Sequence, residues 1–122
     1  MADNLGDVRA AVSGNSNKTK GDKAEREVAA LLSDHLGVHA RRAFGAGRGF
    51  DEGDIVGLPH TVVQVVNSKH VAEAVRNKPL QAELQRENSR QEFAATFVRL
   101  RGGDYRVVMT PEQWFAMYRA AL

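Results

Sequence analysis

The chain has 122 residues, of which 43% are hydrophobic and 26% charged. This is the composition of an ordinary globular protein, and the length predicts one domain. The absence of cysteine excludes disulfides and thiolate metal sites and favours a reducing, cytoplasmic location, in a bacterium or in the host cell of a phage. A net charge of +2 suits a polyanionic partner without requiring one, and no apolar stretch is long enough to span a membrane.

The first half of the chain predicts an arm, a helix and three strands. Residues 1–18 are polar, small and without periodicity, which predicts a flexible N-terminal arm before a domain at 19–122. A helix is predicted from Thr19 to the stop at Gly37, because its apolar residues recur at helical spacing. "VHARRAF" predicts a strand and residues 45–54 a loop; "DIVGL" and "HTVVQVV" then predict a hairpin that turns near Leu58–Pro59.

The second half predicts a helix, two strands and a helix. Pro79 is expected to open a polar helix that runs to about Arg90. "FAATFVRL" and "YRVVMT" predict strands joined at Gly102–Gly103, and Thr110 is expected to cap the last helix. The order α-β-β-β-α-β-β-α predicts an α/β fold in which helices flank a mixed central sheet.

Three side chains with oxygen ligands are candidates for a metal site. Asp54 opens a strand, Gln64 interrupts the apolar strand "TVVQVV", and Glu25 lies beside the apolar stripe of the first helix. If the helix packs on the sheet, these oxygens converge at a strand end and suit Mg²⁺ or Mn²⁺. The alternative is a turn aspartate at Asp54 and a solvated glutamate at Glu25.

Basic residues cluster before the first helix and around a glycine-rich stretch. A flexible loop there would let an arginine reach a phosphate, and a solvated basic surface is the alternative interpretation. The candidate phosphate contacts are Lys20, Lys23, Arg41, Arg42 and Arg48.

The segments "KGDKAEREVAALL", "DEGDIVGL" and "TVVQVVNSKH" resemble, in that order, the PD-(D/E)XK nuclease superfamily. The similarity is greatest to Holliday junction resolvases of the archaeal and phage type, and it covers residues 19–70. The resemblance implies a restriction-endonuclease-like core and metal-dependent hydrolysis of branched DNA by a homodimer. It also implies that Glu25 supports the metal, that Asp54 binds it, and that Gln64 stands where the family has a second carboxylate.

The chain departs from the family pattern at the third motif. Gln64 replaces the acid of the Glu-x-Lys pattern, which weakens metal binding, and Val66 replaces its lysine. Loss of such a cation commonly costs about 10² to 10³ in rate. Lys69 is the first candidate for a migrated cation, and Lys78 and Arg86 are others.

Three functions follow as alternatives. The first is a structure-selective, Mg²⁺-dependent DNA endonuclease, with its centre intact or inactivated at Gln64 and Val66. The second is a non-catalytic module that binds branched DNA on the same fold. The third is an interaction protein that has lost DNA binding. The apolar face of the last helix, or the strand "FAATFVRL", is expected to form the dimer interface.

Overall fold

The computed structural model describes residues 5–43 and 53–122, with side chains from Lys20 onward. Helix α1 (Leu5–Leu36) precedes strands β1 (Arg41–Arg42), β2 (Ile55–Val56) and β3 (Thr61–Val66). Helix α2 (Val71–Ser89) is followed by β4 (Phe93–Arg99), β5 (Tyr105–Val108) and helix α3 (Pro111–Ala121). The predicted α/β class, with helices flanking a mixed sheet, is confirmed.

The five strands form one sheet in the order β1-β2-β3-β4-β5. Strands β3 and β4 pair in parallel, from Thr61 opposite Phe93 to Val66 opposite Val98, and the other neighbours are antiparallel. Parallel neighbours need a long crossover, which α2 supplies. The predicted hairpin of β2 and β3 is present, with Ile55 opposite Val63.

The two faces of the sheet carry different helices. On one face, Val28 and Leu32 of α1 pack with Ile55 and Val63. On the other face, Val62 packs with Ala82 of α2, and Val66 packs with Ala74 of α2 and with Val98. Side chains alternate along β3, so residues 62, 64 and 66 face α2 and residues 63 and 65 face α1.

Two predicted helix starts are wrong. Helix α1 begins at Leu5, well before Thr19, and the segment between them contains no proline that would interrupt helix propagation. Helix α2 begins at Val71, so Pro79 lies inside it rather than at its start. Pro79 costs a backbone hydrogen bond there, but burial of Ala74, Pro79 and Ala82 stabilises the helix through tertiary contacts.

Helix α3 is capped as predicted, since the Thr110 side chain accepts a hydrogen bond from Gln113 N at 3.1 Å. Gln113 is its buried residue, whereas Trp114, Phe115 and Tyr118 are about half exposed, at 51%, 50% and 53%. The indole of Trp114 stacks on the Tyr118 ring with centroids 5.2 Å apart. The homodimer expected through this face stays a prediction.

Gly57 fixes the approach of the hairpin to the chain before β1. Its φ is +94°, and a Cβ atom there would overlap the carbonyl oxygen of His39. Gly102 has a similar φ of +91° but no atom near the position of a Cβ. An alanine at either position would strain the backbone, but only an alanine at Gly57 would also overlap a neighbouring atom.

We expect Gly57→Ala to lower the free energy of unfolding by about 3 kcal/mol or more, because it combines strain with a clash against backbone. Gly102→Ala carries the strain alone and should cost about 1 to 2 kcal/mol. Urea unfolding followed by circular dichroism measures both. Equal losses in the two variants would contradict the close approach at His39.

Candidate functional site

Asp54 and Glu25 meet on the α1 side of the sheet. The Asp54 carboxylate accepts a hydrogen bond from Val65 N at 2.8 Å, and the Asp54 N–H donates to Val63 O at 2.8 Å. Asp54 thus extends the pairing of β2 with β3 beyond Ile55. Glu25 lies one turn before Val28 on the packed face of α1, near enough to Asp54 for their charges to interact.

Burial raises the pKa of Glu25, and repulsion from Asp54 adds to this shift. Arg42 opposes it, with Nε donating to Glu25 Oε1 at 3.1 Å and Nη2 to Asp22 Oδ1 at 2.7 Å. The guanidinium of Arg42, a predicted contact to DNA phosphates, binds two carboxylates of α1. We call Asp22, Glu25, Arg42 and Asp54 the acidic cluster.

Gln64 does not join the acidic cluster. It is 6% exposed on the α2 face, and its amide nitrogen donates to Gln85 Oε1 of α2 at 2.9 Å. Val66 faces α2 as well, packed with Ala74 and Val98. The predicted convergence of Gln64 with Glu25 and Asp54 is therefore wrong, because the alternation of β3 turns the amide to the opposite face.

After Val63, the next residues of β3 and its exit that face α1 are Val65 and Asn67. Val65 packs against the core under α1, and the Asn67 side chain donates to the Lys20 carbonyl at 3.2 Å. A carboxylate two residues before a lysine would need these positions in order to face Glu25. Valine and asparagine supply neither charge.

The Mg²⁺ site predicted from the sequence stays a prediction. Within residues 20–43 and 53–122, no group of three or more histidine or carboxylate side chains is placed to hold a metal ion. Glu25 is engaged by Arg42, and one oxygen of Asp54 accepts from backbone. The arrangement is that of carboxylates neutralised by an internal guanidinium.

A basic cavity of about 560 Å³ opens beside the acidic cluster, at the carboxyl ends of the parallel strands β3 and β4. Its wall comes from α1, from the segment between β3 and α2, and from the turn between β4 and β5. Among the residues that the structure describes, its lining includes no carboxylate and five cationic side chains: Lys20, Lys23, Lys69, Arg99 and Arg101. Asn67 and Ser68 add polar groups.

Arg99 is held in place by a glutamate of α1. Its Nε donates to Glu27 Oε1 at 2.8 Å, and the Tyr105 hydroxyl donates to the same oxygen at 2.6 Å. These hydrogen bonds, from Arg99 first, lower the pKa of Glu27. Burial and the bond to Glu27 raise the pKa of Tyr105 well above its usual range. Glu27 and Tyr105 thus fix where the Arg99 guanidinium lies.

The structure distributes the predicted DNA contacts over different places. Lys20 and Lys23 line the basic cavity, together with Lys69, the candidate for a migrated cation. Arg41 is exposed elsewhere and donates to the His39 carbonyl at 3.0 Å. Arg48 lies outside the described residues. Arg99 and Arg101 were not predicted, because they lie in the "FAATFVRL" segment and the turn after it, about thirty residues beyond Lys69 in sequence.

No protein-family model, curated protein or solved structure matches the chain. In the part of the chain that the structure describes, no helix is both long enough and apolar enough to cross a membrane.

Glu25 and Glu27 carry opposite pKa shifts from the reference value of 4.5. The raised pKa of Glu25 gives stability that is complete below pH 4.5 and is lost as the pH rises through the folded pKa. The lowered pKa of Glu27 gives stability that is present above pH 4.5 and is lost as the pH falls through the folded pKa.

At pH 7 we therefore expect Glu25→Gln to leave the free energy of unfolding unchanged or to raise it by less than about 1 kcal/mol, because the weakened hydrogen bond to Arg42 offsets much of the relieved burial and repulsion. Glu27→Gln should lower it by about 1 kcal/mol, since a neutral amide accepts more weakly from Arg99 and Tyr105. Chemical denaturation between pH 4 and 7 compares the two variants. Losses of the same sign and size at pH 7 would contradict the opposite environments of the two carboxylates.

Proposed function

We propose that this protein binds DNA through phosphate contacts in the basic cavity, as a non-catalytic module. The observation that carries the proposal is that, within the described part of the chain, five cations and no carboxylate converge on one concave surface. Such contacts hold the sugar–phosphate backbone and position the protein without reading sequence. The modest net charge of +2 agrees with a local site better than with a basic surface over the whole molecule.

The availability of the cations supports the same proposal. Among the described residues, no ion pair engages Lys20, Lys69 or Arg101, and all three side chains are exposed. Unpaired ammonium and guanidinium groups can exchange their counterions for phosphates. Release of those counterions is the main source of non-specific affinity for DNA.

The non-catalytic character is proposed from the acidic cluster. Arg42 neutralises Glu25 and Asp22, Gln64 lies on the other face of the sheet, and Val65 and Asn67 bring no charge to the α1 face. A branched DNA target, such as a four-way junction, remains a proposal that rests on the resemblance to Holliday junction resolvases.

Metal-dependent endonuclease activity is the second candidate. The observation that favours it is the repulsion between Glu25 and Asp54, because carboxylates placed close together are what a divalent cation stabilises. Lys69 would then be the cation nearest in sequence to the family's lysine position, and it lies in the basic cavity.

We expect the affinity for a four-way junction to fall steeply with salt. If about four phosphates are contacted, the affinity should decrease on the order of 50-fold between 0.05 and 0.15 M salt. The double variant Lys69→Gln/Arg101→Gln should make the plot of log affinity against log salt concentration less steep, by the share of about two phosphate contacts. Fluorescence anisotropy titrations at several salt concentrations measure both quantities.

The matched control is Arg76→Gln/Lys78→Gln, which removes the same charge from α2 outside the basic cavity. It should change the slope by much less than the cavity variant. Equal effects of the two double variants would mean that net charge, not the basic cavity, attracts DNA.

A cleavage assay separates the two candidate functions. With a labelled four-way junction and Mg²⁺ or Mn²⁺, we expect the protein to bind without cutting, and Asp54→Asn to behave in the same way. Cleavage by the unsubstituted protein that Asp54→Asn abolishes would replace the binding module with the endonuclease.

A further inference from the structure

The shape of the basic cavity suits a single compact phosphate group better than a row of phosphates along a duplex. Internal phosphates of a duplex lie along a convex surface, so a protein usually meets them with a strip or groove of cations. Here the cations stand around a concavity of about 560 Å³, which lies within the usual range of pockets for small ligands, about 300 to 1,000 Å³. A compact anion can enter such a space and be approached from several sides.

The charge of the basic cavity matches a compact anion of high charge. An internal phosphodiester carries one negative charge, whereas a terminal phosphomonoester carries about −1.5 to −2 at pH 7. Five cationic side chains around one space favour the more highly charged group. Glu27 neutralises part of the charge of Arg99. Lys20, Lys69 and Arg101 form no ion pair among the described residues, so their full charges remain for a ligand.

The polar groups of the wall add directional donors to this charge. Nε and Nη2 of Arg99 donate to the two carboxylate oxygens of Glu27 at 2.8 and 3.4 Å, which fixes the guanidinium and leaves Nη1 to donate to a phosphate oxygen. Val71, the first residue of α2, also lines the space, and the side chain of the N-cap residue His70 makes no capping hydrogen bond. The positive end of the α2 dipole therefore adds to the lysines and arginines.

We propose that the basic cavity binds the terminal phosphate of a DNA strand, so that the protein recognises phosphorylated strand ends. This inference rests on the proposed DNA binding and specifies its ligand. Lys69, Arg99 and Arg101 contact the phosphate oxygens, and Lys20 and Lys23 of α1 contact the adjoining backbone. Binding is tightest above pH 6, where the phosphomonoester is doubly ionised, and weakens as the pH falls below that value.

The experiment compares DNA strands of one sequence that differ only in their ends. Single-stranded 12-mers with a 5′-phosphate, with a 3′-phosphate and with hydroxyls at both ends are titrated by anisotropy, together with a closed circle of the same sequence. At least one phosphorylated strand should bind about 10-fold more tightly than the hydroxyl strand, and the circle should resemble the hydroxyl strand. A deoxynucleoside monophosphate added as competitor tests whether a free nucleotide satisfies the same site.

Lys69→Gln/Arg101→Gln should abolish the preference for the phosphorylated end, and Arg76→Gln/Lys78→Gln should retain it. Identical melting temperatures of the two variants exclude a folding defect as the cause. Equal affinity for all four DNA molecules would overturn the inference while leaving DNA binding intact. Failure of every DNA molecule to bind in low salt would overturn the proposed function itself. If the deoxynucleoside monophosphate displaces the strand completely and binds as tightly as the phosphorylated strand does, the cavity is a site for free nucleotides and not for strand ends.

Discussion

The parallel pairing of β3 with β4 is the constraint on which the rest of the structure depends. Because the two strands run in the same direction, α2 must cross over one face of the sheet, and α1 covers the other. Both strands also end at the same edge. The segments that leave β3 and β4 there, Asn67–Val71 and Leu100–Gly102, therefore lie side by side and form the basic cavity with the adjacent part of α1.

Helix α1 supplies two glutamates with different surroundings at this edge of the sheet. Glu25 faces Arg42 and Asp54, whereas Glu27 faces Arg99 and Tyr105. Burial is the main cause of the raised pKa of Glu25, and repulsion from Asp54 adds to it, whereas hydrogen bonds from Arg99 and Tyr105 lower the pKa of Glu27. Two acids separated by a single residue thus have opposite pKa shifts, and positive charge is directed to the cavity while negative charge is neutralised next to it.

Local patterns in the sequence predicted the hairpin of β2 and β3 and the cap of α3, because each depends on a few adjacent residues. The alternation of side chains between the two faces of β3 was also predicted, but the sequence does not show which helix covers which face. Gln64 was therefore placed with Glu25, although it faces Gln85. Pro79 was misread for a similar reason, since local chemistry opposes a helix there and tertiary burial stabilises it.

The candidate site was predictable only in part. Lys20, Lys23 and Lys69 lie within the sequence motifs and were therefore candidates. Arg99 and Arg101 lie outside those motifs and reach the cavity because β4 pairs in parallel with β3. The ion pairs of Arg42 with Asp22 and Glu25 were not predicted, because these partners precede it by more than a dozen residues. Charge pairing between separate elements is invisible without the fold.

The proposed binding of DNA in the basic cavity can be followed by an NMR titration of the isotope-labelled protein with a phosphorylated 12-mer, because backbone amides report contact residue by residue. We expect the largest shifts on residues 67–71 and 99–102, while the amides of α3 change little. Shifts concentrated on α3, or on the exposed surface of α2, with none around the basic cavity would contradict it.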